Sequence, residues 1–424
     1  MEKICIILSL IFILIIVKNS HNAILLFAAS SILFQDYLCL RYNSPNITLY
    51  FMINSIAVGY IIVKKGIYFK DFPLKRAFCF LFFTYIVGVL ASPLSFSQTI
   101  PYAIGKILSY IFVVIFFNEL QSYKDIKFCF ICTLSIIFFL CIYSSVEFGL
   151  QMNPWLTYIV SLYPDEMTGK IYQHFEVRFF SIRCQSLLSI SISWGAVCAL
   201  WMSFIIYLKD IAKSNYISKI LFILSILLAF NVFISGARSA FILLLFSLCI
   251  IFISFSSKFK FLFICTFIII IIAYSDFLSD ILLSFSEKGN INGSSSSERT
   301  MQLNGVLNVI SESPLWGLGI KGFNEAKLMD SDILGAESIW LQRLLSFGLI
   351  GITSQIYLYV CLFRYTNNEV MKGKRIKLYL FILSWIIFST ITSSPGLTEA
   401  YFLILLLILV NYEKNTYYEC YEYK

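Results

Sequence analysis

Charge is what this chain of 424 residues most lacks: only 13% of it is Asp, Glu, Lys or Arg, while 59% is hydrophobic and the mean hydropathy is +0.83. No soluble globular composition approaches that balance. Histidine is scarcer still. The two copies, His21 and His174, cannot build a histidine-rich metal centre. There is no HExxH, no GxxxxGK[ST] and no DxD motif in a soluble domain, which disfavours a zincin, a nucleotide loop and direct use of a cytosolic nucleotide-sugar. No metal, other cofactor or nucleic-acid partner is expected. Internal repeats are also missing, including the paired interrupted helices that mark many secondary transporters. The twelve cysteines lie almost entirely inside apolar runs, where Cys behaves as a small hydrophobe.

What the chain has in abundance is apolar runs long enough to cross a hydrocarbon core of about 30 Å. They fall near 4–17, 22–40, 47–63, 77–91, 102–118, 128–148, 186–208, 217–234, 240–257, 261–275, 337–363, 378–392 and 399–412. The run 22–40 contains Gln35 and Asp36 and reads as short or re-entrant. The expectation is one all-α polytopic membrane domain over residues 1–424 with about twelve spans. Basic residues cluster in every second loop: Lys64 to Arg76, Lys124 and Lys127, Lys209 to Lys219, Lys258 and Lys260, and Arg364 to Lys377. The positive-inside rule puts these loops in the cytoplasm and the alternate loops outside. The net charge of +8 is thus accounted for without an anionic partner.

The external side holds the unusual residues. Two long loops, 149–185 and 276–336, are of the size that usually carries function. A third connection is the tight hairpin FISGARSAF, residues 233–241, with Arg238 at its tip. A cation at the centre of a membrane helix costs roughly 2.5 to 3.5 kcal/mol, and a hairpin tip in the outer leaflet avoids most of that by snorkelling. The small neighbours Ser235, Gly236, Ala237, Ser239 and Ala240 also let a phosphate approach, and a guanidinium is a bidentate phosphate clamp. Arg299, beside Glu298, is either a solvated ion pair or a second phosphate ligand at the start of an external helix. The apolar rhythm of Met301, Val306, Val309 and Ile310 predicts that helix, ending before Pro314.

Arg178 and Arg183, in EVRFFSIRCQS, stand at the threshold of a span and read either as interface anchors or as substrate ligands. Glu337 opens the span from 337; the helix dipole alone favours it there, yet an acid at an external mouth is also where a general base for a hydroxyl is wanted. Glu399, in SSPGLTEAYF, repeats that argument more weakly. Span interiors read as almost uncharged, unlike those of transporters, which keep ionisable residues near the midplane.

SGARSA in an external hairpin, SSERT in a long external loop, PLWGLGIKGF, and then AESIWLQRLLSFGLIG leading into a helix together resemble the O-antigen polymerase and ligase superfamily of bacterial envelopes. The resemblance covers roughly residues 180–412 by motif and the entire chain by topology. It implies a glycosyltransferase with a GT-C-like helical bundle in the bacterial inner membrane and an active face towards the periplasm, independent of nucleotide and metal. Its substrate would be an oligosaccharide linked to polyprenyl (undecaprenyl) pyrophosphate, with membrane lipid around it and a chain-length regulator as partner. The family's ligases typically carry His-Asn where this chain has Glu337-Ser338, which points to the polymerase branch. Arg238 and Arg299 would then bind pyrophosphate and Glu337 would be catalytic, with Arg178, Arg183 and Glu399 as further substrate-binding candidates. A ligase acting on lipid A core and a polysaccharide flippase remain the alternatives.

Overall fold

In an apolar medium every backbone N–H and C=O must be satisfied within the protein, so long runs of Ile, Leu and Phe become helices. A computed structural model of the chain is correspondingly an α-helical bundle, and it describes residues 2–41, 47–66, 69, 71–162, 177–178, 181–211, 215–254, 296–322, 338–392 and 398–422. Its first part comprises α1 (Glu2–Lys18), α2 (Ser20–Ser30), α3 (Leu49–Lys64), α4 (Lys75–Ala91), α5 (Phe96–Glu119), α6 (Tyr123–Leu150) and the short α7 (Pro154–Ser161). Then come α8 (Ser191–Ile211), α9 (Asn215–Ile234), α10 (Arg238–Ser254), α11 (Ser296–Ile310), α12 (Ile339–Glu369), α13 (Lys372–Ile391) and α14 (Thr398–Glu422). Two antiparallel ribbons interrupt the helices, Cys39–Arg41 with Ile47–Thr48 and Val177–Arg178 with Ser181–Ile182.

The bundle is turned inside out relative to a soluble protein. Leu14, Leu90 and Phe222 are about 70% exposed, whereas Asn54, Glu147, Asn231 and Gln355 are buried to 1% or less. That is the pattern of a membrane protein. Among the described residues α5, α6 and α12 are long and apolar enough to cross a membrane, so the expected dozen spans is not reached by length. The expected span 261–275 lies outside the described residues. The two long loops are partly structured: α7 and the second ribbon occupy the first, α11 the second.

The last helix is the axis. Every residue of α14 from Tyr401 to Val410 is 2% exposed or less, which a helix apolar all round achieves only at the centre of a bundle. Trp385 stacks on Phe402 at 4.7 Å, and the indole N–H of Trp201 donates to the Tyr401 hydroxyl at 2.9 Å. Ion pairs gather at one end of the bundle. His21 lies 2.8 Å from both Glu119 and Asp125, Lys65 reaches the other Glu119 oxygen, and Lys374 and Lys414 pair with Glu413 and Glu369. This is the end that carries the basic loops, and the hairpin of Arg238 sits at the opposite one.

At that opposite end α12 is broken. Gly348 has φ 59° and ψ −152°, and the segment Pro314–Ile320 fills the break. The Leu349 and Ile350 amides donate to the carbonyls of Pro314 and Leu315 at 2.9 and 3.3 Å, and the Leu318 amide donates to Leu345 O at 2.7 Å. The same segment then clasps the end of α4: the Ile320 amide donates to Gly88 O at 2.8 Å, and the Ser92 hydroxyl donates to Ile320 O at 2.9 Å. Irregular backbone survives at such a place only when buried in protein with its polar groups satisfied. The glycines of PLWGLG are thus structural: a Cβ on Gly348 would lie 2.5 Å from Leu315 backbone, and one on Gly319 2.3 Å from that of Ser92. Gly348→Ala is expected to cost about 1–3 kcal/mol in backbone strain alone. Gly373→Ala, in a helix with open space around it, should be neutral or stabilising by up to about 1 kcal/mol. Thermal melts in detergent decide; equal melting temperatures for the two variants would contradict the clasp.

Candidate functional site

Small residues seat the hairpin that carries Arg238. α9 ends at Ile234, the Ser235 hydroxyl turns back onto Val232 O at 2.7 Å, and Gly236 takes a left-handed φ of 59°. Gly195 of α8 makes room, because a Cβ there would fall 2.5 Å from Ser235 Oγ and 2.7 Å from the Ala240 Cβ. The chain just before α8 docks on the same turn. The Cys184 amide donates to Ile234 O at 3.0 Å, and the Arg183 Nε donates to Ser235 O at 3.5 Å. Arg183 and Arg238, far apart in the chain, therefore come from adjoining backbone.

A buried carboxylate anchors that approach. Glu147, 1% exposed near the end of α6, accepts the amides of Gln185 at 3.2 Å and Ser186 at 2.8 Å. Ser186 holds a left-handed φ of 56° and is tied by its own hydroxyl to Leu140 O. Sequence reading passed over Glu147 because an acid at a helix end near a loop looks solvated.

Arg238 is the first residue of α10 and Arg299 lies in the first turn of α11; Arg178 pairs with Ser181 in the second ribbon. For these three only the backbone is described, and Glu337 lies outside the described residues altogether. The helix predicted from the rhythm of Met301 to Ile310 is present as α11; it buries Val306 and Ile310 and leaves Met301 48% exposed. Val306 packs on Leu345 of α12, so α11 is held beside the broken helix.

Inside this end lies a second charged centre. Arg343, one turn into α12 and 8% exposed in its side chain, meets Glu399 at the start of α14: its Nη2 is 3.3 and 3.2 Å from the two carboxylate oxygens. The same Nη2 lies 3.4 Å from the Tyr110 hydroxyl, and the Gln355 amide donates to Glu399 at 3.0 Å. Both Glu399 oxygens are thus engaged by protein donors, an arrangement that ties α14 to α12. The Arg343 Nη1 is buried with no hydrogen-bond partner among the described residues. Lys106 of α5 stands nearby, its ammonium 5.8 Å from the Tyr102 ring centre and within electrostatic range of Tyr85, Glu399 and Asp36.

The expectation of almost uncharged span interiors is therefore corrected. Lys106 and Arg343 both sit within helices apolar and long enough to span, where charge is costly and marks function by default. Lys106 was visible as the lone ionisable residue within an otherwise apolar run. Arg343 was hidden, because LQRLL reads as an ordinary amphipathic turn until Glu399 is brought opposite.

A bundle with an apolar exterior and polar groups turned inward is that of a membrane protein. Residues 223–355 match the family model described as O-antigen ligase, which supports a likeness to the O-antigen polymerase and ligase superfamily. No curated protein sequence matches the chain.

Glu399→Gln would strip Arg343 of the one carboxylate it pairs with among the described residues. The expected loss is on the order of 3 kcal/mol, because a buried charge is left uncompensated. Adding Arg343→Met should restore most of that stability. A double-mutant cycle by denaturation in detergent measures the coupling; strictly additive losses would mean that the two residues do not act as a pair.

Proposed function

We propose that this chain polymerises oligosaccharide repeat units carried on polyprenyl pyrophosphate at the periplasmic face of a bacterial inner membrane. The observation that carries the reading is that the O-antigen ligase family match, 223–355, encloses Arg238, Arg299 and Glu337 together. In the reaction the bond between the anomeric carbon and the pyrophosphate oxygen breaks as a bond to the acceptor hydroxyl oxygen forms. Glu337 orients the hydroxyl and receives its proton. Polyprenyl pyrophosphate leaves with its charge stabilised by Arg238 and Arg299 as it develops.

The N-terminus of α10, where Arg238 stands, adds the positive end of a helix dipole to the same task. Arg183 adjoins this hairpin and joins the substrate-binding set, as do Arg178 and, through its pair with Arg343, Glu399. No second carboxylate is assigned as a nucleophile, so the displacement is inverting. Glu337-Ser338 in place of His-Asn favours a second lipid-linked repeat unit as acceptor over lipid A core. A separate protein sets chain length. Lys106 within a span is a feature that a flippase could share, and the family match favours transfer over transport.

Deleting the gene in its own strain should leave lipopolysaccharide core bearing a single repeat unit on a gel. Bare core with accumulated lipid-linked chains would instead indicate a ligase, and repeat units stranded in the cytoplasm a flippase. Arg238→Lys should keep the protein in the membrane while lowering polymerisation on the order of a hundredfold, since a point charge cannot replace the bidentate fork. Normal chain lengths in that variant would remove Arg238 from the mechanism. Glu337→Gln should lose about a hundredfold or more as a missing general base, and wild-type activity would leave Glu337 as a helix-start residue.

A further inference from the structure

Lys106 lies ten residues into α5, about 15 Å along the helix from its start. No carboxylate comes within ion-pair distance of it among the described residues; its contact is the Tyr102 ring. The adjoining Arg343 engages Glu399 and Tyr110 through Nη2, and its other terminal nitrogen is buried with no hydrogen-bond partner among the described residues. Glu399 is committed to Arg343, and Asp36 is the other acid in electrostatic range of Lys106 among the described residues. Tyr85, Tyr102 and Tyr110 surround them with hydroxyls. The groups left over are hydrogen-bond donors: an ammonium, a guanidinium edge and phenols. A cluster of this kind is completed by an acceptor-rich anion, because Lys106 has no ion-pair partner among the described residues and only one side of the Arg343 guanidinium is engaged.

We propose that Lys106 and Arg343 form a second anion subsite, separate from the Arg238 hairpin, that takes a phosphate or pyrophosphate group. The inference rests on the polymerase reading for its purpose: when donor and acceptor are both lipid pyrophosphates, the protein must hold two such groups at once. Arg238 and Arg299 hold the group that leaves, and the Lys106 subsite holds the one that stays on its lipid. Glu399 and Gln355 act here as positioning residues, fixing one face of the guanidinium so that Nη1 is presented to the ligand.

The test uses the purified full-length chain in detergent, with farnesyl pyrophosphate, farnesol and inorganic pyrophosphate as probes. Farnesyl pyrophosphate should protect Lys106 of the unaltered protein from acylation by acetic anhydride, and unchanged labelling would overturn the proposal. Lys106→Met should lower by one the number of farnesyl pyrophosphate molecules bound per chain, whereas Lys106→Arg should retain the full number. An undiminished number in Lys106→Met would overturn the subsite, as would displacement from it by glucuronate and not by pyrophosphate. Filling by inorganic pyrophosphate alone identifies a free anion as the ligand, and a requirement for farnesyl pyrophosphate identifies a lipid-linked one; farnesol should give neither protection nor saturable binding. The polymerase reading fails separately, through unaltered chain lengths in the deletion strain, whatever the binding experiment returns.

Discussion

Backbone hydrogen bonds that cannot be surrendered to lipid govern this molecule. α12 breaks at Gly348, and a break in a membrane helix strands amides and carbonyls that only protein can satisfy. Pro314, Leu315 and Leu318 supply those partners, and Ile320 carries the same strand onward to Gly88 of α4. Because the break lies five residues after Arg343, the clasp also fixes the turn from which that guanidinium projects. The glycine-rich motif that might be mistaken for a ligand loop is a piece of architecture, and its glycines are the sites where two backbones touch.

Electrostatics follows from the same scarcity of water. One end of the bundle settles its charges in ion pairs: His21 with Glu119 and Asp125, Lys65 with Glu119, Lys374 with Glu413, and Lys414 with Glu369. At the other end, among the described residues, Glu399 pairs with Arg343 through Nη2, the Arg343 Nη1 has no hydrogen-bond partner, and Lys106 has no acid within ion-pair distance. Buried charge left unsatisfied is expensive and persists where a ligand completes it.

Much of the framework was legible in the residues. Alternating basic loops separate the two ends, and the rhythm from Met301 to Ile310 becomes α11. The motifs SGARSA, SSERT and AESIW lead to the superfamily that the match over 223–355 supports. Other features depend on long-range packing and left no local trace. GLIGI looks like uninterrupted helix, and only the arrival of Pro314–Leu318 makes a positive φ at Gly348 tolerable. Glu399 read as an external acid until α14 proved to be the axis of the bundle and Arg343 its partner. Lys106 was legible in principle, as a single charge inside an apolar run.

On the proposed reading, the end of the bundle that carries Arg238 joins two lipid-linked glycans to each other. Proteoliposomes containing the purified chain and one polyprenyl-pyrophosphate-linked repeat unit, with no lipid A core, test it directly. Mass spectrometry of the lipid-linked products should show dimers and longer chains accumulating on the carrier with release of polyprenyl pyrophosphate. Repeat units that remain single until lipid A core is added, and then appear on the core, would contradict it.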